Sequence, residues 1–301
     1  MKNTKAILSI ATIKILRFLP FHFAQRVGKW LGRCASLLPT ESRRVTAINL
    51  KLCFPELSGT EHKALTRESL EESGKLLMEI PHFWERPIDF SLGKIEKIEG
   101  EELLKNALRS NKGLLLLAPH LGNWELIGLF FSSRYAMAAM YSPPNVPGFE
   151  AYMIDVRSKA GSELVPTSRK GLARMITLLR EGDVVGILPD QSSRGPGSTY
   201  APFFGIEVRT MTLATKLLQK SNATVLSTYA RRESNGRFTI VIKEVNPDIR
   251  STDLFLACKT LNETVEECVR DCPAQYQWAY KRFKHRPSGL PHPYKAGRTC
   301  R

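Results

Sequence analysis

Acidic side chains are in short supply. The 301 residues hold 29 Asp and Glu against 44 Lys and Arg, a formal net charge of +15. So large an excess calls for a negatively charged partner: nucleic acid, an anionic membrane surface, a phosphorylated substrate or an acidic protein. Cysteine is sparse as well. The six thiols, at positions 34, 53, 258, 268, 272 and 300, do not make the dense framework of a small secreted domain, and reduced thiols in a cytoplasmic setting fit the spread better. Cys268 and Cys272 are spaced to share a helix face, but no second pair of ligands stands near, so no metal site is expected. Zinc-finger spacings and the aromatic signature of RNA-binding sheets are absent, which removes nucleic acid from the partners. There is no internal repeat and no low-complexity run.

A long uninterrupted apolar run is also missing. Residues 6–24, AILSIATIKILRFLPFHFA, are apolar but carry Lys14, Arg17 and Pro20. A spanning helix needs about 20 apolar residues with few charges, and no small-residue cleavage site of a secretory signal follows. The next stretch has a clear pattern. His22, Arg26, Lys29, Arg33 and Ser36 repeat on one side of a helix, with Phe23, Val27, Trp30, Leu31, Cys34 and Leu38 opposite. Such a basic amphipathic helix either lies in an anionic lipid interface or packs its apolar face on a domain core. Residues 1–39 are therefore set apart as a membrane-associated helical segment, ahead of a domain over 40–301.

Apolar residues make up 43% of the chain, enough at this length for a large core and a cleft. Residues 40–90 read as helical, with a capping pattern at Ser58 or Thr60. From residue 113 the rhythm changes. GLLLLAPH and DVVGILPD are short continuous apolar runs, as in strands buried on both faces. YAMAAMY, SELVPT, ATVLSTYARR and RFTIVIKEV also read as strands, the last two around an Asn235-Gly236 turn. Helical patterns fall between them: NWELIGLFFSSR, FEAYMIDVRSKAG, RKGLARMITLLREG and RTMTLATKLLQKSN. A further helix covers 252–270. Strands alternating with helices predict an α/β domain with a largely parallel central sheet.

In such sheets, ligands bind at the carboxyl ends of strands. Two strands end in an ionisable residue, LLLLAPH in His120 and VVGILPD in Asp190. An imidazole there suits a general base. Glu125, five residues on in the first turns of the next helix, is placed to fold back, fix the tautomer and stabilise the imidazolium. No serine or cysteine accompanies the pair, so the nucleophile must come from a substrate hydroxyl. That points to direct acyl transfer to an alcohol without a covalent acyl-enzyme.

Here a resemblance enters. HLGNWE looks like the His-x-x-x-x-Glu signature of the late lipid A acyltransferases, which add secondary acyl chains to Kdo-modified lipid A precursors. NLKLCFPELS (49–58), LPDQSSRGPGSTYAPFFG (188–205) and QYQWAYKRFKHRP (275–287) resemble three further family stretches in the same order. One departure is RTMTLA, where the family often has a Thr-Gly pair. The resemblance implies a glycerolphosphate-acyltransferase-like α/β fold with an N-terminal membrane anchor at the cytoplasmic face of the inner membrane. It implies an acyl carrier protein thioester as donor, no cofactor, and a phosphorylated glycolipid hydroxyl as acceptor. Another glycolipid or aminolipid, such as a phosphatidylinositol mannoside or an ornithine lipid, is the alternative acceptor.

Carried over by motif, His120 resembles the base, Glu125 its partner, and Arg157 and Asp190 the family's functional arginine and aspartate. Arg157 or backbone N–H groups would stabilise an oxyanion, and Asp190 would orient Arg157 or a substrate hydroxyl. Asn123 and Gln191, beside the catalytic candidates, are assigned to substrate binding. So are two basic clusters suited to phosphate, Arg169 and Lys170 in SRKGLAR and Arg282 and Lys284 in YKRFKHR. LIGLFF (126–131) and APFF (201–204) are candidate walls for an acyl chain.

Overall fold

The computed structural model describes residues 2–192 and 197–295. In chain order the elements are α1 (Lys2–Leu16), α2 (Phe21–Leu37), α3 (Glu41–Cys53), α4 (Gly59–Glu85), α5 (Ile88–Leu92), β1 (Ile95–Glu99), α6 (Glu101–Arg109), β2 (Leu114–Leu117), α7 (Trp124–Ser132), β3 (Met137–Tyr141), α8 (Glu150–Ser158), β4 (Glu163–Pro166), α9 (Arg169–Glu181), β5 (Val184–Ile187), β6 (Ser198–Phe203), β7 (Ile206–Met211), α10 (Leu213–Lys220), β8 (Thr224–Arg232), β9 (Phe238–Glu244) and α11 (Leu254–Asp271).

Seven strands form one sheet in the order β1-β9-β8-β2-β5-β3-β4. Every neighbouring pair is parallel except β8 and β9, which turn back on each other through the Asn235-Gly236 hairpin. The four leucines of β2 are all buried because both faces of the sheet are covered. Leu114 and Leu116 pack with Leu126 and Phe130 of α7 on one face. Leu115 and Leu117 pack with Met175 and Leu179 of α9 on the other. This alternation is the period-2 geometry of a strand inside a two-sided sandwich of helices.

One expected helix begins later than its sequence pattern suggested. Within RTMTLATKLLQKSN, residues 209–211 are strand, and the helix starts at Leu213. β6 and β7 make a separate antiparallel hairpin around Phe204-Gly205. In it Val208 and Thr210 face inward while Glu207 points out. The alternation of IEVRTM is the strand signal, and it outweighs the helical reading of the basic and apolar residues that follow.

The amino-terminal helices lie against α4. Gly28 and Gly32 of α2 cross α4 so closely that a Cβ on Gly32 would stand 2.1 Å from the Leu70 carbonyl oxygen. The buried face of α2 is therefore Phe21, Ala24, Gln25, Gly28 and Gly32. Its larger apolar stripe is left outward, with Phe23, Trp30 and Leu31 exposed, joined by Ile7, Leu8 and Ile15 of α1. Among the described residues, no helix is long and apolar enough to cross a membrane.

Candidate active site

The two ionisable strand ends meet because their strands are neighbours in register. β2 and β5 pair Leu114 with Val184 and Leu117 with Ile187. Each then runs on for the same short distance, Ala118-Pro119 to His120 and Leu188-Pro189 to Asp190. Asp190 is buried, and its Oδ1 lies 2.8 Å from His120 Nδ1 while Oδ2 accepts the His120 backbone N–H at 3.0 Å. Burial pushes the Asp190 carboxyl up. His120, through its ring and its backbone N–H, outweighs that and holds the carboxyl below the ordinary carboxylate range. The neighbouring Tyr276 hydroxyl is pushed well up by its own burial and by Asp190, so it stays protonated.

An ionised Asp190 can only accept, so Nδ1 of His120 carries the proton and Nε2 is left with its lone pair. That nitrogen takes a hydrogen bond from Gln191 Nε2 at 3.1 Å, whose other amide hydrogen goes to Gln277 Oε1 at 3.2 Å. The two bonds fix the orientation of the Gln191 amide. The ring is 15% exposed and rests edge-on to Trp124, centroids 5.0 Å apart.

Glu125 is not the partner of His120, contrary to the expectation from spacing. It is buried in the first turn of α7, on the side facing α4 and α8. There Arg157 donates to it twice, Nη2 to Oε1 at 2.5 Å and Nε to Oε2 at 3.0 Å, and Trp84 Nε1 donates at 2.9 Å. Burial raises the Glu125 carboxyl, but Arg157 outweighs it and the group lies below its ordinary value. Arg157 likewise belongs to Glu125 and not to Asp190, correcting the idea that Asp190 orients it; its side chain is 30% exposed. The site thus has a hydrogen-bonded dyad and an ion pair: His120–Asp190 joining two strand ends, and Glu125–Arg157 tying α7 to α8.

The loop that carries His120 is clamped from below. Gly122 has φ +59°, and a Cβ there would stand 1.9 Å from the Ala230 carbonyl oxygen, so only glycine fits. Its N–H goes to the Gln275 carbonyl, the Asn123 N–H to Ala230, and the His120 carbonyl accepts from the Gln277 N–H. Asn123 is fully buried: its Oδ1 caps Leu126 N–H at 3.2 Å and its Nδ2 donates to Glu79 at 2.9 Å. That use as a helix cap corrects its assignment to substrate binding. Glu79, also fully buried, is held in turn by Arg232 of β8 at 2.6 and 2.5 Å. Burial alone would raise its carboxyl, and the Arg232 charge keeps it low. Trp84, Glu79, Arg232, Tyr276 and Gln277 were not picked out from the sequence. They come from distant segments, and no local spacing points to them.

Of the basic clusters, Arg169 and Lys170 open α9 and are exposed, with Arg169 on the wall of the cleft described next. Arg282 is 2% exposed, which corrects its assignment to a phosphate. Its guanidinium is spent on the Arg209 carbonyl at 2.7 Å, Ser192 Oγ at 3.1 Å and Asn262 Oδ1 at 3.2 Å. Phe283 docks into the protein's own core. Lys284 Nζ reaches the Tyr280 hydroxyl at 3.1 Å, and that hydroxyl in turn accepts the Ser192 N–H at 3.0 Å.

A cleft of about 730 Å³ opens beside His120, with Trp124, Glu125, Arg157, Arg169 and Gln191 on its walls. Beyond them the lining mixes apolar side chains, including Leu116, Ile127, Met140 and Leu164, with polar ones such as Ser142, Thr167, Thr212 and Lys216. Of the two expected apolar walls, 126–131 contributes Ile127, Gly128 and Leu129, while Phe130 and Phe131 point into the core. Residues 201–204 do not reach the cleft: Phe203 and Phe204 pack against Phe54, Tyr276 and Trp278. A volume of this size, with an apolar stretch beside polar and basic groups, suits a ligand that has an apolar chain and a polar head. Among the described residues, no group of three His, Cys, Asp or Glu side chains could hold a metal ion.

A family model described as bacterial lipid A biosynthesis acyltransferase matches residues 2–285. The lipid A biosynthesis lauroyltransferase of Escherichia coli K12 is 28% identical over 291 residues, 95% of this chain and 94% of its own. The palmitoleoyltransferase of the same strain is 29% identical over 275 residues, 90% and 88% of the two chains. Its myristoyltransferase is 28% identical over 296 residues, 96% and 89%.

Proposed function

The chain belongs to the bacterial lipid A biosynthesis acyltransferase family, and from that premise we propose that it moves a fatty acyl chain from an acyl carrier protein thioester to a hydroxyl of a lipid A precursor at the cytoplasmic face of the inner membrane. It is an acyltransferase. The observation that carries the finer reading is the His120 ring, locked by Asp190 at Nδ1 with its Nε2 lone pair at a partly apolar cleft. In the forward step Gln191 yields Nε2 to the acceptor hydroxyl. Nε2 takes the hydroxyl proton as the oxygen bonds to the thioester carbonyl carbon. Asp190 stabilises the imidazolium that forms. Collapse of the tetrahedral intermediate breaks the carbon–sulfur bond, and the imidazolium returns its proton to the leaving thiolate. Arg157, on the cleft wall and held in place by Glu125, supplies a positive charge for the oxyanion or an acceptor phosphate.

Residues 1–39 form the membrane-facing segment and 40–301 the acyltransferase domain. The outward Phe23, Trp30 and Leu31, with basic Arg26, Lys29 and Arg33 on the same helix, support an interfacial position on anionic lipid. The parallel sheet with its base at a strand end supports the glycerolphosphate-acyltransferase-like fold. An acidic carrier protein and a phosphorylated acceptor both suit the net charge of +15. Exposed Arg169, on the cleft wall, and its exposed neighbour Lys170 are the residues to meet them. Mass spectrometry of lipid A from a deletion strain tests this: loss of one secondary acyl chain is expected, and an unchanged acylation profile would overturn it.

A further inference from the structure

Three glycines line the cleft, Gly128, Gly186 and Gly197, and none of them has a positive φ. At most other positions glycine has a visible cause, the exceptions being Gly59 in the first turn of α4 and Gly197 just ahead of β6. Gly28, Gly32 and Gly74 let helices α2 and α4 touch, with a Cβ on each within 2.4 Å of backbone, and Gly100, Gly113 and Gly122 have positive φ. Gly128 has neither cause. It sits in the middle of α7, and a Cβ built there meets nothing within 4 Å. Glycine is the poorest helix former after proline, so this position weakens the helix with no return in protein packing. What lies in front of it is the cleft.

The helix sets how deep that position is. Trp124 touches the His120 ring at the amino-terminal end of α7. Gly128 follows one turn later on the same face, about 6 Å further along the helix axis. On the facing sheet, Gly186 of β5 makes room for one flexible group: a Cβ there would meet Met137 Cε at 2.6 Å and no other side chain. The methyl end of Met137 fills the gap over Gly186, whereas the gap in front of Gly128 stays open.

We propose that Gly128 sets the depth of the acyl slot: the side chain it lacks leaves the room that the far end of the donor's acyl chain occupies, with Met137 seated over Gly186 as the adjustable floor. This rests on the acyl-transfer reading above. Any side chain at 128 shortens the slot from the α7 side, so the preferred donor moves to shorter chains. The chemistry at His120 is not touched.

The test uses the full-length protein and a matched series of acyl carrier protein thioesters, decanoyl through palmitoyl, with a lipid A precursor as acceptor. Gly128→Ala and Gly128→Leu are compared with wild type. One methylene of misfit in an apolar pocket is worth roughly 10- to 200-fold in kcat/KM. The ratio of kcat/KM for the longest over the shortest donor should therefore fall at least ~10-fold in Gly128→Leu, with the shortest donor still turned over. Gly128→Ala should show a smaller shift and a melting temperature equal to wild type or higher, because alanine is the better helix former. An unchanged chain-length profile in Gly128→Leu overturns the proposal, as does an equal loss for every donor. A wild-type protein that transfers no chain from any donor instead overturns the acyl-transfer reading itself.

Discussion

Asparagine in place of Asp190 keeps the shape of a buried side chain but converts one acceptor oxygen into a donor. In the native site two N–H groups converge on the carboxylate, the His120 ring at 2.8 Å and the His120 backbone at 3.0 Å. Asparagine can accept from only one of them. If its oxygen takes the backbone N–H, its amide faces Nδ1. The ring proton then moves to Nε2, the nitrogen that must take the hydroxyl proton. If its oxygen takes the ring N–H, the tautomer survives, but the backbone donor is orphaned at a cost of about 1–3 kcal/mol. The imidazolium also loses its counter-charge. Two unit charges about 4 Å apart at an effective dielectric of 20 interact by about 4 kcal/mol, and each 1.36 kcal/mol is roughly tenfold in rate. Both branches therefore predict a kcat lower by roughly 100- to 1,000-fold. KM should move little, because Asp190 does not line the cleft. The assay follows release of the carrier thiol, with thermal unfolding recorded on the same samples. A folded Asp190→Asn variant with wild-type kcat would refute the dyad.

Three further outcomes follow from the same geometry. His82 is fully buried with both ring nitrogens unpartnered, and burial, then the Arg86 charge, holds it down to about 4 from an ordinary 6.5. The unfolded chain takes up that proton below pH 6.5 and the folded chain refuses it until about 4, so stability should fall as pH drops through this window, by up to ~3 kcal/mol. His82→Phe, set between Phe21 and Phe90, should flatten that slope in urea titrations at stepped pH; parallel curves for the two proteins would contradict it. Arg232→Met strands the buried Glu79 carboxylate and should cost about 3–5 kcal/mol in the urea midpoint, with much of the loss recovered by adding Glu79→Gln; a neutral single variant would contradict the brace. Trp30 is 63% exposed, so Trp30→Asp should leave the melting temperature in place yet reduce co-sedimentation with anionic vesicles, and undiminished binding would remove α2 from the membrane surface.

The layered fold was readable because four successive leucines bounded by Gly113 and Pro119 read as a short strand covered on both sides, and because helical patterns separate the strands. The site was readable in its strand ends but not in its pairing. His120 and Asp190 lie 70 residues apart, and they meet only because β5 sits beside β2, an order that no local pattern encodes. Spacing favoured Glu125, yet the first turn of α7 turns that carboxylate toward Trp84 and Arg157, residues brought in by α4 and α8. Asn123 and Arg282 looked like surface ligands because they are polar and stand next to motif residues. Their burial is a tertiary fact, set by an N-cap in one case and by the β6–β7 hairpin and α11 in the other. That hairpin was itself legible in the alternation of IEVRTM, a signal masked by the helix former LATKLLQK behind it.

The most direct measurement is acyl transfer by the purified protein from an acyl carrier protein thioester to a tetra-acyl lipid A precursor, wild type beside His120→Ala. The account predicts an acceptor heavier by one acyl chain, with stoichiometric thiol release, and a rate lower by roughly 100- to 10,000-fold once the imidazole is gone. Equal rates in the two proteins would contradict it.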